Sequence, residues 1–141
     1  MSNITLAQAD TIIATALAQS RAKSLAPMTV VVLDSGGHLV AARREDKSGI
    51  LRIEIATGKA YGALGFGFGS RGFVSKPPTF LGAAAMASDG RLVPVPGGVL
   101  VKNAAGDLLG AVGVSGDVSD ADEAVALGGI EAAGLVGDAG A

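Results

Sequence analysis

The chain has 141 residues, enough for one domain with a buried core, and a net charge of −2, with 49% hydrophobic and 17% charged residues. It contains no cysteine, which excludes disulfides and a cysteine nucleophile, and no basic cluster that would indicate a nucleic-acid partner. No apolar run reaches the ~18 residues of a membrane span, and the start lacks the pattern of a secretion signal, so we expect a cytoplasmic protein without a membrane partner.

The first half of the chain predicts a helix, a hairpin and a second helix. Residues 5–24 place small and apolar side chains at helical spacing, with Thr5 as the N-cap. Two β-branched apolar runs flank the turn at Asp34–Gly37, which is typical of an antiparallel hairpin. Residues 48–64 begin with strand-like alternation, but their alanines keep helical spacing, so we predict a helix capped by Ser48.

The second half predicts a long connection, a second hairpin and a final helix. Residues 65–91 show no clear period, so we predict a partly ordered connection with a short helix near 80–88. The second hairpin turns at 103–107, and residues 119–135 predict a helix capped by Ser119 with an acidic first turn. Together these elements predict an α/β (α+β) fold with an antiparallel central sheet and helices over its faces.

The connection contains a literal G-x-G-x-x-G motif, formed by Gly67, Gly69 and Gly72. A dinucleotide-binding loop of this kind follows a strand, opens a helix and has an acidic partner ~20 residues further on. Here the glycines follow a predicted helix, and we expect the pair Pro77–Pro78 to forbid a regular helix soon afterwards. The motif therefore does not predict a nucleotide site. The phenylalanines around it indicate an apolar lid or an interface arm.

Several segments, taken in order, resemble the GlcG/HbpS-like family, which includes haem-binding secreted proteins and the C-terminal domain of PduO adenosyltransferases. These segments are VVVLDSGGHLVAARRED, Ile55-Ala56 with Lys59-Ala60, PGGVLV, GAVGVSG and DADEAVALGG. The chain is identified by this resemblance as a single domain over residues 1–141. The resemblance implies a profilin-like three-layer sandwich with about four to six antiparallel strands. It also implies a homo-oligomer, between a dimer and an octamer, which agrees with the large apolar fraction.

The resemblance implies a small-molecule ligand, and non-covalently bound haem or another tetrapyrrole is the leading candidate. A cofactor-independent hydratase, lyase or isomerase acting on a small unsaturated or oxo acid is one alternative, and an accessory oligomeric subunit without a ligand is another. We expect no metal site built from side chains alone, since the chain has one histidine and no cysteine. The stretch after Lys59 departs from the family pattern K-A-x-T-A-x-x-F, because Gly62 replaces the threonine and extra glycines follow.

Polar side chains in the first half of the chain supply most of the candidate site residues. His38 is either an axial haem ligand or general base, or an exposed residue beside a glycine turn. The resemblance places Arg44 at the pocket, where a guanidinium grips a carboxylate, and an ion pair with Asp46 is the alternative. Tyr61 is either a general acid, with Glu54 on the same helical face to move a proton, or a packing residue with a hydrated hydroxyl.

Lys59 lies on a predicted helix face of small and apolar residues, so its ammonium needs a partner or a lowered pKa. It either binds a substrate carboxylate or haem propionate, or acts as a base, or pairs with a structural carboxylate such as Asp46 or Asp122. The predicted catalytic residues are Lys59, Tyr61, Glu54 and His38, and the predicted ligand-binding residues are Arg44, Lys59, Ala56, Phe66 and Phe68.

Overall fold

The computed structural model describes residues 2–140 and contains the predicted series of helices and hairpins. The helices are α1 (Leu6–Ala22), α2 (Arg52–Phe66), α3 (Pro78–Ala87) and α4 (Ser119–Ala132), with a short 3-10 helix at Ser70–Phe73. The strands are β1 (Thr29–Asp34), β2 (Leu39–Arg44), β3 (Gly98–Lys102), β4 (Leu108–Ser115) and β5 (Val136–Asp138). Among the residues described, no helix is long and apolar enough to cross a bilayer.

The five strands form one antiparallel sheet in the order β2-β1-β4-β3-β5. Helices α1 and α4 pack together over one face, and α2 lies on the other face over β1, β4 and β3. The structure therefore confirms the predicted mixed α/β class and its antiparallel sheet with helices on both faces. The sequence does not predict β5, because three residues are too few to show a strand period.

Strand β1 is buried on both faces of the sheet, which explains its continuous apolar run. Val30 and Val32 face the core under α1 and α4, whereas Val31 and Leu33 face the core under α2. Successive side chains in a strand point to opposite faces, so a strand covered on both sides needs apolar residues at every position. This central strand joins the two cores into a single sandwich.

The helix caps agree only in part with the sequence prediction. Thr5 caps α1 in a capping box, as predicted. Ser48 does not cap α2, because its hydroxyl lies 2.8 Å from that of Thr29 in the sheet and α2 begins four residues later. The N-cap of α4 is Val118, so Ser119 is the first helical residue rather than the cap.

The predicted partly ordered connection is mostly helical, and its glycines have packing roles. Gly67 ends α2 in the left-handed conformation, with φ of +81°, and donates its N–H to Ala63. Gly69 lies directly against the backbone of Ala139, where a Cβ would collide. The short helix predicted near 80–88 is confirmed by α3, whereas the expectation that the prolines forbid a regular helix is wrong. Pro78 is the first residue of α3, where its missing N–H has no helical partner to lose.

A buried ion pair joins α2 to the start of α4. The ammonium of Lys59 lies 3.0 Å from Oδ2 of Asp122 and donates to the carbonyl of Val114 at 2.9 Å, and both charged side chains are at most 2% exposed. The other oxygen of Asp122 accepts the N–H of Asp117. Burial lowers the pKa of Lys59 and raises the pKa of Asp122, since each charged form loses water, while the attraction within the pair opposes both shifts.

Replacing Gly113 with alanine is expected to destabilise the fold by about 1–3 kcal/mol, because the new methyl group would collide with the carbonyl oxygen of Ala56. Gly65→Ala, in the last turn of the same helix α2, is the matched control. No atom lies within 4 Å of a Cβ at Gly65, so the same change should be neutral or stabilise by up to about 1 kcal/mol. Urea denaturation followed by circular dichroism measures both. Equal stability of the two variants would show that α2 does not pack tightly on β4.

Breaking the buried ion pair from one side is expected to destabilise more than removing both charges. Lys59→Met should lower the free energy of unfolding by about 3–5 kcal/mol, because it leaves the Asp122 carboxylate buried and unpaired. The double variant Lys59→Met with Asp122→Leu should recover most of this loss. The measurement is a double-mutant cycle by urea denaturation, and simple additivity of the two single changes would contradict the pairing.

Candidate ligand-binding site

Two depressions lie beside the outer side of α2. The smaller, of about 160 Å³, is lined by the first hairpin turn and the second half of α2. Its lining residues are Ser35, Gly36, Gly37, Tyr61, Leu64 and Gly65. The larger, of about 220 Å³, lies between the first half of α2 and the turn that follows α3. Its lining residues are Ile53, Glu54, Thr57, Asp89, Gly90 and Arg91.

His38 lies at the exposed end of the first hairpin and is oriented by a carboxylate. Its side chain is 80% exposed, and its Nδ1 lies 3.1 Å from Oδ1 of Asp34. Asp34 also accepts the backbone N–H groups of His38 and Gly36, and these bonds, the first above all, hold its pKa below the ordinary value. An ionised carboxylate accepts a hydrogen bond from Nδ1–H, and in that tautomer the lone pair of Nε2 is available to a metal or a substrate.

Tyr61 lies between the hairpin turn and an arginine that the sequence analysis missed. A Cβ added at Gly37 would lie 2.7 Å from the tyrosine ring, so the turn packs directly on that ring. The guanidinium carbon of Arg91 lies 4.2 Å from the ring centroid, and its Nε donates to the carbonyl of Ser88 at 2.8 Å. Arg91 follows a stretch without a sequence period, and only its position after an Asp-Gly turn sets it apart in the sequence.

Glu54 and Tyr61 lie on the same helix but do not touch. Glu54 lines the larger depression and Tyr61 lines the smaller one. No hydrogen bond joins the two side chains among the residues described. The proton-transfer role predicted for this pair stays a prediction, and it needs a ligand or water between them.

Lys59 and Ala56 lie on the inner side of α2, against the sheet. Ala56 is fully buried over Gly113, and Lys59 is enclosed in the ion pair with Asp122. Neither residue lines one of the depressions described above. Of the alternatives for Lys59, the structure therefore shows pairing with a structural carboxylate, that of Asp122. Neither side chain reaches the surface in this conformation, and ligand contact by either residue stays a prediction.

Arg44 lies at the opposite end of β2 from the hairpin turn that holds His38. Its guanidinium donates to the carbonyl of Ser48 at 2.9 Å, and it borders a separate open depression of about 460 Å³. The alternative ion pair with Asp46 is not present in the described part of the chain. The structure does not bring Arg44 together with the other candidate residues.

Phe66 and Phe68 belong to a cluster that contains all four phenylalanines of the chain. The ring of Phe66 lies 5.2 Å from that of Phe73 and 5.6 Å from that of Phe80. Phe73 is fully buried, while Phe66 is 42% exposed. The cluster joins the end of α2 to the 3-10 helix and α3. Ligand contact by Phe66 and Phe68 stays a prediction.

Gly62, where the chain departs from the family pattern, allows the segment that contains Leu92 and Val93 to cross α2. A Cβ at Gly62 would lie 2.5 Å from Leu92, and one at Gly58 would lie 2.6 Å from Val93. The N–H of Val93 donates to the carbonyl of Gly58 at 3.2 Å, which ties the segment to the helix. This crossing places Arg91, the preceding residue, over Tyr61.

Similar solved structures share this fold over nearly their whole length. PduOC, solved in a complex with haem, is 19% identical, with 94% of this chain and 96% of that chain covered and a TM-score of 0.85. Protein ORFY of Klebsiella pneumoniae is 24% identical, with 95% and 92% covered and a TM-score of 0.85. A double mutant of HbpS from Streptomyces reticuli is 23% identical, with 93% and 87% covered and a TM-score of 0.77.

A sequence comparison with protein-family models matches most of the chain. A search of curated proteins finds no match to the chain. The family model described as haem degrading protein HbpS-like matches residues 4–131. The resemblance derived from the sequence motifs is therefore confirmed, and the chain belongs to the HbpS-like family.

Proposed function

We propose that this protein binds haem or a related tetrapyrrole non-covalently, with His38 as an axial ligand. The observation that carries the proposal is the exposed imidazole whose Nδ1 is held by Asp34. A carboxylate behind a histidine fixes the tautomer and ring orientation that a metal ligand needs, and it raises the basicity of the free nitrogen. Membership of the HbpS-like family and the fold shared with a haem complex support the same ligand class.

The surface beside His38 fits one edge of a macrocycle rather than a whole one. The adjoining depression measures about 160 Å³, below the ~300–1,000 Å³ of pockets that enclose drug-sized ligands. A tetrapyrrole bound to His38 would therefore lie across the surface, with Tyr61 and Leu64 as the nearest apolar support. The iron would supply the chemistry of the bound group. The residues of this chain would hold the ligand and orient the imidazole.

We further infer that the protein acts as a homo-oligomer in which α3 is covered by another copy. Helix α3 carries no charged residue and has no buried residue, and Met86 within it is 82% exposed. Phe80 in the same helix and Val74 ahead of it are also exposed. A contiguous apolar surface of this kind is uncommon on a monomer and marks an interaction site.

Titration with haemin is expected to give a shifted Soret band with the native protein and a weaker response with two variants. His38→Ala removes the axial nitrogen, and Asp34→Asn, which leaves the imidazole poorly oriented, should weaken binding by about 10- to 100-fold. Arg43→Ala, an exposed change near the far end of β2, is the control and should bind as the native chain does. Equal affinity of His38→Ala would remove His38 as the ligand. No spectral change with the native chain would overturn haem binding altogether.

Light scattering is expected to give a mass at least twice the 13.7 kDa of one chain. Met86→Asp places a charge in the exposed apolar helix, so it should shift the population toward the monomer because burying that charge is unfavourable. Ala14→Asp, on the exposed side of α1, is the control and should keep the native mass. A monomeric native protein would contradict the covered interface.

A further inference from the structure

Arg91 is held in place, and its two terminal nitrogens have no hydrogen-bond partner among residues 2–140. The stacking on Tyr61 and the bond from Nε to the carbonyl of Ser88 fix the plane of the guanidinium. No ion pair joins Arg91 to an acidic side chain among residues 2–140. A planar guanidinium with its terminal N–H groups available donates two parallel hydrogen bonds to a carboxylate. The larger depression therefore presents a prepared anchor for a carboxylate group.

Two acidic residues line the same depression as Arg91. Glu54 comes from α2 and Asp89 from the turn after α3, and both are exposed. Neither forms an ion pair in the described part of the chain, so the guanidinium and both carboxylates keep their charges available to a ligand. A simple anion would face both carboxylates, and a simple cation would face the guanidinium. A ligand carrying both charges complements all three groups.

The size and floor of the depression limit the ligand further. The volume of about 220 Å³ corresponds to roughly seven water molecules at ~30 Å³ each, so it suits a small molecule and not a macrocycle. Ile53 is half-buried and provides an apolar wall, while Thr57 offers a hydroxyl. A small molecule with a short apolar side chain fits this lining, and a tetrapyrrole does not.

Backbone hydrogen bonds hold the turn that forms one wall of the larger depression. Four backbone hydrogen bonds close the turn after α3, donated by Ser88, Asp89, Gly90 and Arg91. Asp89 has a φ of +55°, a conformation that few residues other than glycine adopt, and the neighbouring bonds hold it there. Beyond the turn, the chain is tied to α2 by the bond from Val93. A site formed before the ligand arrives loses less conformational entropy on binding.

We propose that this depression binds a small zwitterion of the α-amino-acid type with an apolar side chain. The ligand carboxylate accepts two hydrogen bonds from Arg91, and the ligand ammonium lies between Glu54 and Asp89. The side chain of the ligand packs on Ile53. This site is separate from His38, which does not line the depression, so it adds a second ligand class to the one proposed above.

The test is a titration of ¹⁵N-labelled protein, without haem, with three probes of similar shape. L-leucine carries both charges, 4-methylpentanoate lacks the ammonium, and 3-methylbutylamine lacks the carboxylate. L-leucine should shift the backbone amide signals of Glu54, Thr57 and residues 89–91 in a saturable way. Each analogue should bind about 10- to 100-fold more weakly, because it loses the charge-assisted hydrogen bonds of the missing group.

Variants of Arg91 separate this site from general surface effects. Arg91→Gln should weaken L-leucine by about 10-fold, and Arg91→Lys should recover only part of that loss, since it keeps the charge but not the planar fork. Arg43→Gln, an exposed arginine on β2, is the matched control and should bind normally. Absence of shifts at millimolar L-leucine, or equal binding of either analogue, would overturn the proposal. Because haem is absent throughout, neither result depends on the haem proposal.

Discussion

The close contact between α2 and the sheet is the constraint on which the rest of the structure depends. Small residues on both sides make it possible: the carbonyl oxygens of Ala56 and Lys59 lie directly over Gly113 and Gly98. A helix this near the sheet encloses every side chain on its inner side. The charge of Lys59 is therefore balanced inside the fold by Asp122, and that pairing orders the start of α4.

The outer side of α2 is shaped by the same kind of contact. Gly58 and Gly62 allow the segment before β3 to cross the helix, and this crossing carries Arg91 to Tyr61. The hairpin turn packs against the same ring from the other side. The tyrosine therefore separates two surfaces with different chemistry, an exposed histidine on the turn and a depression with charges of both signs.

The shared fold does not by itself fix the function of a chain, which depends on surface sites such as these two. The solved structures that resemble this chain are at most 24% identical in the comparisons above, yet they share its fold closely. Small residues hold α2 against the sheet in this chain, whereas polar side chains from its outer side line the two depressions. The stretch after Lys59 is where the sequence departs from the family pattern, and it leads into the connection that ends at Arg91, a lining residue of the larger depression.

The sequence by itself determined α1, both hairpins and the presence of α4, because their periods and turn residues act over a few neighbouring positions. The family could also be recognised from the sequence, because its motifs lie in these same helices and hairpins. Only the tertiary structure decided the partner of Lys59, which lies 63 residues away, and the position of Arg91. It also decided that the G-x-G-x-x-G glycines end a helix and admit the C-terminal segment. Contacts between distant segments depend on packing, which no local pattern records.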